Sequence, residues 1–169
     1  MRLNIRNKWI SLRGGSRVTD ENENEVYYVK GKFWTVTKKK FVQTMDKKTL
    51  FVVRNKFWQF FTYYAMVYDE TGKKELARLR RKIFSFHDHF DVTCDLGKLV
   101  LRGNFICYDY HIILNDKEVG HVARNISLRD SFTLDLYDES LDPAFFVALV
   151  IAVDNITDQR NEEVTAAMS

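Results

Sequence analysis

The sequence lacks paired cysteines and any large excess of charge. Its two cysteines, Cys94 and Cys107, do not have the spacing of a zinc or redox motif. They are interpreted as isolated, buried thiols in a reducing compartment. The chain has 26 basic and 23 acidic residues, a formal net charge of +3. Any attraction to nucleic acid or anionic lipid must therefore be local.

A signal-peptide core is also missing from the start of the chain. Charged residues interrupt positions 1–8 every few residues, so no apolar stretch of the required length is present there. With 46% hydrophobic and 29% charged residues, the composition is typical of a folded chain and not of a disordered one. The sequence predicts one cytoplasmic domain over residues 1–157, followed by a polar, disordered tail over 158–169.

From the first residues to about residue 137, the apolar pattern is short and alternating. Val, Ile, Thr and aromatic residues are frequent, and clusters of turn-forming residues separate about twelve candidate strands. The connections are too short for crossover helices, so strands that are neighbours in sequence are expected to pair antiparallel.

The segment from 142 onward is different. Asp142 suits a helix N-cap and Pro143, the only proline, suits the first helical position. Residues 144–153 are all apolar, which predicts a helix over about 143–156, with a fully buried strand as the alternative. Ten residues span about 15 Å, about half the hydrocarbon core of a bilayer, so this helix does not predict a membrane span.

A helix that is apolar on every side must be buried on every side. Twelve strands can close into a barrel whose lumen is wide enough to need a filler, and a helix of about 10 Å diameter provides one. The predicted fold is therefore mainly β: a closed antiparallel barrel of about twelve strands around a central, buried C-terminal helix.

Several segments together resemble the tubby C-terminal-like superfamily, most closely its LURP-one-related branch with the bacterial YxjI-like proteins. These segments are residues 15–20, 26–32, 99–105, 119–124, 131–134 and 148–154. The resemblance implies a twelve-stranded barrel around a central C-terminal helix. Its tubby members bind phosphoinositides and its scramblase relatives carry the helix in a related form, but it implies no activity for the YxjI-like branch. No phosphoinositide site carries over residue by residue.

The most prominent candidate site is basic. Arg78, Arg80 and Lys82 alternate along one predicted strand and would share one face, with Lys73 and Lys74 just before them. Residues 38–40, three consecutive lysines, could add to this stripe. The stripe is a candidate anion-binding site for a phospholipid-like ligand. A solvated face is the favoured interpretation, because outward strand positions are normally charged.

The histidines offer a weaker hypothesis. His87 and His89 have strand spacing and would hold a metal only if a third ligand, such as His111 or His121, came close. Structural or loop histidines are the favoured interpretation, so no metal site is assigned.

The sequence contains no GxSxG elbow, no HExxH motif and no phosphate-binding glycine loop. No catalytic residue and no cofactor is assigned, and the chain is predicted to be a non-enzymatic binding or scaffold domain of unknown partner. One alternative is an uncharacterised enzyme with a site at a barrel mouth. The other, a nucleic-acid binder, rests on a pI near 8.8 and the dense aromatics around residues 57–64, for which core packing is the favoured reading.

Overall fold

The computed structural model describes residues 1–6, 15–31, 39–56, 62–82, 89–105, 107, 109–125 and 131–167, with side chains left out at 62, 82, 125 and 158–167. Twelve strands and one helix follow one another along these residues. They are β1 (Arg2–Arg6), β2 (Gly15–Thr19), β3 (Glu25–Gly31), β4 (Lys40–Thr44), β5 (Thr49–Asn55), β6 (Thr62–Tyr68), β7 (Glu75–Lys82), β8 (His89–Cys94), β9 (Gly97–Asn104), β10 (Asp109–Leu114), β11 (Lys117–Asn125), β12 (Ser131–Leu136) and α1 (Pro143–Ala167).

Every strand pairs antiparallel with its neighbours in sequence, and β1 closes the barrel against β12. The closing register runs from Arg2 opposite Asp135 to Arg6 opposite Ser131. Inward positions alternate along each strand, for example Leu3 and Ile5 on β1, both fully buried. The predicted fold class, a closed antiparallel barrel of twelve strands with one C-terminal helix, is confirmed.

Tight turns connect the strands at one end of the barrel, which we call the turn end: residues 20–24, 45–48, 69–74, 95–96 and 115–116. At 115–116, Asn115 and Asp116 both have positive φ, 50° and 63°, as a two-residue turn with the twist of a hairpin requires. Carboxylates stabilise other turns by accepting hydrogen bonds. The Asp69 carboxylate accepts the backbone amides of Lys73 and Lys74, and hydrogen bonds to it, first from the Thr71 hydroxyl, lower the pKa of Asp69.

Helix α1 begins at the turn end. The Asp142 carboxylate accepts the backbone N–H of Ala144 at 2.9 Å, so the predicted N-cap is confirmed. Residues 144–153 are all buried, which makes this half of α1 the centre of the core. In the part of the chain that the structure describes, no helix has both the length and the hydropathy to cross a membrane.

The end of the helix differs from the prediction. The sequence predicted an end near residue 156, whereas α1 continues to Ala167. Residues 157–167 contain neither glycine nor proline and include several good helix formers, so once the apolar half is fixed inside the barrel nothing in the sequence stops the helix. The change from apolar to polar residues after Val153 therefore does not end the helix, and Asp154, Asn155 and Thr157 are still buried.

Polar residues lie inside the barrel at the end opposite the turns. The Lys40 ammonium is 2.8 Å from the Asp154 carboxylate, whose side chain is 1% exposed. On the neighbouring strand β5, the Asn55 amide donates to the backbone oxygen of Asn155, the next residue of α1, at 3.2 Å. The suggestion that Lys40 adds to an outer basic stripe is wrong, because Lys40 lies on the same face of β4 as buried Val42.

Candidate functional site

The arginines of the predicted basic stripe lie on the outer face of β7, but each has a carboxylate partner. Both Nε and Nη2 of Arg78 donate to the Glu75 carboxylate, at 2.8 and 3.0 Å. This pairing raises the pKa of Arg78 above its ordinary value. The guanidinium of Arg80 donates to Asp91 of β8 at 3.0 Å. An anion arriving here would compete with two carboxylates already in place.

The other predicted stripe residues are spread over different surroundings. Lys73 and Lys74 are exposed on the 69–74 turn, which folds back over the outside of β5. There the Arg54 guanidinium donates to the Gly72 carbonyl and stacks 4.0 Å from the centre of the Tyr68 ring. Lys82 ends β7 at the opposite end of the barrel, and its side chain lies outside the described residues.

Arg81, between the stripe residues, faces inward. Its guanidinium is buried over the rings of Phe90 and Phe105, 5.5 and 5.7 Å from their centres. The β7 strand therefore carries alternating outward and inward arginines, as its period of two requires. The described stripe residues do not converge on one concave site.

A concave basic site does exist, on a different part of the barrel wall. Strands β2, β3 and β4 and the 45–48 turn surround an open cavity of about 560 Å³. We call it the β2–β4 pocket. Its lining consists of Arg17, Glu25, Tyr28, Lys30, Gln43, Met45 and Lys47.

The pairing of three strands builds this pocket. Arg17 on β2 lies opposite Tyr28 on β3, and Tyr28 lies opposite Gln43 on β4, so the three form one outward row. Lys30 follows two residues after Tyr28 and shares its face. The amide of Gln43 donates to the backbone oxygen of Lys47 at 3.3 Å and to the Thr49 hydroxyl at 3.1 Å, which ties the 45–48 turn to the pocket wall.

The pocket is positively charged. Arg17, Lys30 and Lys47 face a single carboxylate, Glu25, and three positive charges minus one leave a net charge of +2. Glu25 is paired with Arg17. Among the described residues, no carboxylate lies within ion-pair distance of Lys30 or Lys47. The sequence does not indicate this site, because its cations come from three separate segments that only the pairing of β2, β3 and β4 brings together.

The structure describes three of the four histidines of the metal-site hypothesis. His87 lies outside the described residues, and His89 on β8 is 3.8 Å from Asp91. His111 and His121 lie opposite each other on β10 and β11, with their rings stacked at 4.7 Å. Their nitrogens already contact Glu118 at 3.0 Å and Asp109 at 2.9 Å. Within the described ranges, no group of three or more His, Cys, Asp or Glu side chains is placed to hold a metal ion.

The two cysteines are unpaired. Cys107 is exposed, contrary to the prediction that both thiols are buried, because it lies in the short β9–β10 connection and not within a strand. Cys94 is half-buried at the turn end, where it lines a second cavity of about 320 Å³ with Phe51, Leu76, Leu96, Leu141 and Phe145. Burial raises the pKa of the Cys94 thiol, which disfavours the reactive thiolate.

The fold defines the class of protein: a β-barrel domain in which twelve antiparallel strands close around a C-terminal helix. Its sequence contains none of the active-site motifs named above. Residues 1–154 match the model of the LURP-one-related family, so the chain belongs to that family. No curated protein matches the chain. A solved protein from Arabidopsis thaliana has a similar structure, with a TM-score of 0.67 and 16% sequence identity over 92% of this chain and 90% of the other. At that identity the similarity shows the fold alone.

Proposed function

We propose that this protein is a non-enzymatic, cytoplasmic binding domain for anionic ligands, and that the ligand binds in the β2–β4 pocket. The observation that carries the proposal is the charge of a concave surface: three cations and one carboxylate line a single cavity. Concave sites with a few convergent charged groups are the usual form of small-ligand sites.

The pocket is a better candidate than the β7 stripe because its lysines can pair with an incoming anion directly. At the stripe, an anion must first displace Glu75 from Arg78 or Asp91 from Arg80. In the pocket only Arg17 has such an internal competitor, Glu25. Glu25→Gln is therefore expected to strengthen anion binding, whereas neutralising Lys30 or Lys47 weakens it.

The resemblance to particular branches of a superfamily also supports this proposal. The sequence resembles the bacterial YxjI-like proteins within the tubby C-terminal-like superfamily, whose tubby members bind phosphoinositides. That resemblance supports an anionic, phospholipid-like ligand as a class, and the pocket supplies a place for it on this chain. The absence of a recognisable catalytic motif supports binding without turnover.

The test is a two-dimensional NMR titration of the ¹⁵N-labelled protein with inorganic pyrophosphate at low and high salt. We expect amide shifts on β2, β3, β4 and the 45–48 turn. They should weaken with added salt and be reduced in the Lys30→Gln, Lys47→Gln double variant. The matched control is Arg78→Gln, Arg80→Gln, which removes two cations from the stripe and leaves the pocket shifts unchanged. Shifts centred on β7, or no shifts at all, would overturn the assignment.

A further inference from the structure

The inference that follows rests on the proposed function and deepens it. We propose that the ligand of the β2–β4 pocket is a phosphomonoester that carries an apolar group, and that Lys47 is the main residue binding its phosphate. Size, charge, the apolar part of the lining and the backbone of Lys47 support this in turn.

The size of the pocket indicates more than a bare anion. A cavity of about 560 Å³ falls within the range of about 300–1,000 Å³ that is typical for small organic ligands. A phosphate ion would fill only a fraction of this space. The remaining space can hold an organic body attached to the anionic group.

The charge of the lining matches a phosphomonoester. The net charge of +2 complements a group that carries about −1.5 to −2 at neutral pH. Lysine ammonium groups bind phosphate oxygens as point charges, and the guanidinium of Arg17 can add a directional contact. A single carboxylate or a sulfate monoester carries only one negative charge and would leave the lining under-neutralised.

The apolar part of the lining gives the organic body a place to bind. Met45 is 43% exposed, and it lines the pocket together with the half-buried Tyr28. A thioether is polarisable and adapts to ligands of different shape, and it packs well against aromatic groups. Met45 and Tyr28 together therefore favour a ligand with an apolar or aromatic portion.

Lys47 occupies a backbone position that normally prefers glycine. Its φ is +65°, and its N–H donates to the Thr44 carbonyl at 2.9 Å in a tight hairpin loop. In the 69–74 turn the corresponding position, whose N–H donates to the Asp69 carbonyl at 3.0 Å, is held by Gly72 with φ +70°. Glycine adopts this conformation without steric cost, so a lysine here gives up turn stability. At this position Lys47 lines the pocket, so its ammonium is available to a bound anion.

Glu23 provides a matched control on the same barrel end. Its φ is +64°, and its N–H donates to the Asp20 carbonyl at 3.2 Å in the β2–β3 turn, the same local arrangement as Lys47. Glu23 does not line the pocket. Replacement by glycine should thus relax the backbone equally at both sites, and only at Lys47 should it also remove a ligand contact.

The experiment measures binding of phenyl phosphate, inorganic phosphate and phenol by calorimetry, together with thermal melting, for the wild type, Lys47→Gly and Glu23→Gly. We expect phenyl phosphate to bind at least about fivefold more tightly than inorganic phosphate, and phenol not to bind measurably. Lys47→Gly should raise the Tm and weaken phenyl phosphate binding by about five- to tenfold, the loss expected for one charge-assisted contact. Glu23→Gly should raise the Tm and leave the dissociation constant within about twofold.

Two results would overturn this inference: equal affinity for inorganic and phenyl phosphate, or equal affinity of the wild type and Lys47→Gly for phenyl phosphate. In either case, pyrophosphate shifts that remain in the pocket would leave the proposed function standing. Loss of both the shifts and the phenyl phosphate binding would remove both proposals.

A phosphomonoester with an apolar group can be a soluble molecule or a lipid headgroup. The second arm measures co-sedimentation with phosphatidylcholine vesicles with and without phosphatidic acid. Recruitment that needs phosphatidic acid and falls in Lys47→Gly identifies the lipid as the source. Phenyl phosphate binding without such recruitment identifies a soluble ligand, and recruitment unaffected by Lys47→Gly contradicts the role of Lys47.

Discussion

The ammonium of Lys40 lies 2.8 Å from the carboxylate of Asp154 inside the barrel, between β4 and α1. The side chains of residues 144–153, the apolar half of α1, cannot form hydrogen bonds. They therefore do not fix how far the helix is inserted into the barrel. A buried ion pair just beyond these residues, together with the Asn55 contact to Asn155, gives the helix a defined depth in the barrel.

Removal of the ammonium should destabilise the barrel. Lys40→Met keeps the length of the side chain but leaves the buried Asp154 without this cation, and we expect a loss of about 3 kcal/mol in the free energy of unfolding. Urea denaturation measures it. Lys30→Met, on the outer face of β3, is the matched control and should change stability by less than about 0.5 kcal/mol. Equal midpoints for the two variants would contradict a role of the pair in stability.

A charge in the apolar half of α1 should prevent folding. Ile151 is 3% exposed at the centre of the barrel, and Ile151→Asp would bury a carboxylate among apolar side chains. We expect no soluble, cooperatively melting protein. Ile151→Val keeps the site apolar and should cost about 1 kcal/mol by thermal melting. A cooperative transition in Ile151→Asp would show that α1 is not enclosed as described.

The stability of the protein should depend on Tyr110 at alkaline pH. Tyr110 is fully buried, and burial, followed by the nearby negative charge of Asp154, raises its pKa well above the ordinary value. The folded state therefore holds this proton to higher pH than the unfolded state. The resulting contribution is fully present below the unfolded pKa of about 10 and is lost as the pH rises beyond it.

Tyr110→Phe removes this dependence. Since the Tyr110 hydroxyl has no hydrogen-bond partner among the described residues, we expect equal or slightly higher stability at neutral pH, by up to about 1 kcal/mol. The free energy of unfolding, measured by denaturation from pH 7 to above about pH 10, should fall less steeply with pH for the variant than for the wild type. A clear loss of stability at neutral pH would instead reveal a stabilising partner for the hydroxyl.

Gly103 on β9 should not tolerate a side chain. Its φ is +145°, and an added Cβ would lie 2.6 Å from the Cα of Tyr110 on β10, closer than real Cβ atoms approach. We expect Gly103→Ala to cost more than about 2 kcal/mol by urea denaturation. Gly72→Ala is the control, because its φ is also positive but its Cβ would meet nothing nearer than 3.6 Å, so it should cost about 1 kcal/mol. Equal costs would show that the contact with β10 relaxes freely.

The candidate functional surface was the least predictable part of the protein. A period of two along β7 correctly places Arg78 and Arg80 on one outer face, yet it does not show what lies beside them. Asp91, which pairs with Arg80, belongs to β8, and its contact depends on the register between the two strands. The β2–β4 pocket likewise depends on two registers and one turn, so no local pattern indicates it.

The amino-acid sequence by itself determined the elements whose causes are local. Alternating apolar residues and turn formers specify short strands, Asp142 and Pro143 specify the start of α1, and a helix that is apolar on every side requires a wall around it. Only the tertiary structure decided that Lys40 faces inward to Asp154 and that Arg17, Lys30 and Lys47 surround one cavity. The physical reason is that strand register is a long-range property. A shift of one residue moves every side chain of a strand to the other face, and only the packing of the whole barrel selects among the registers.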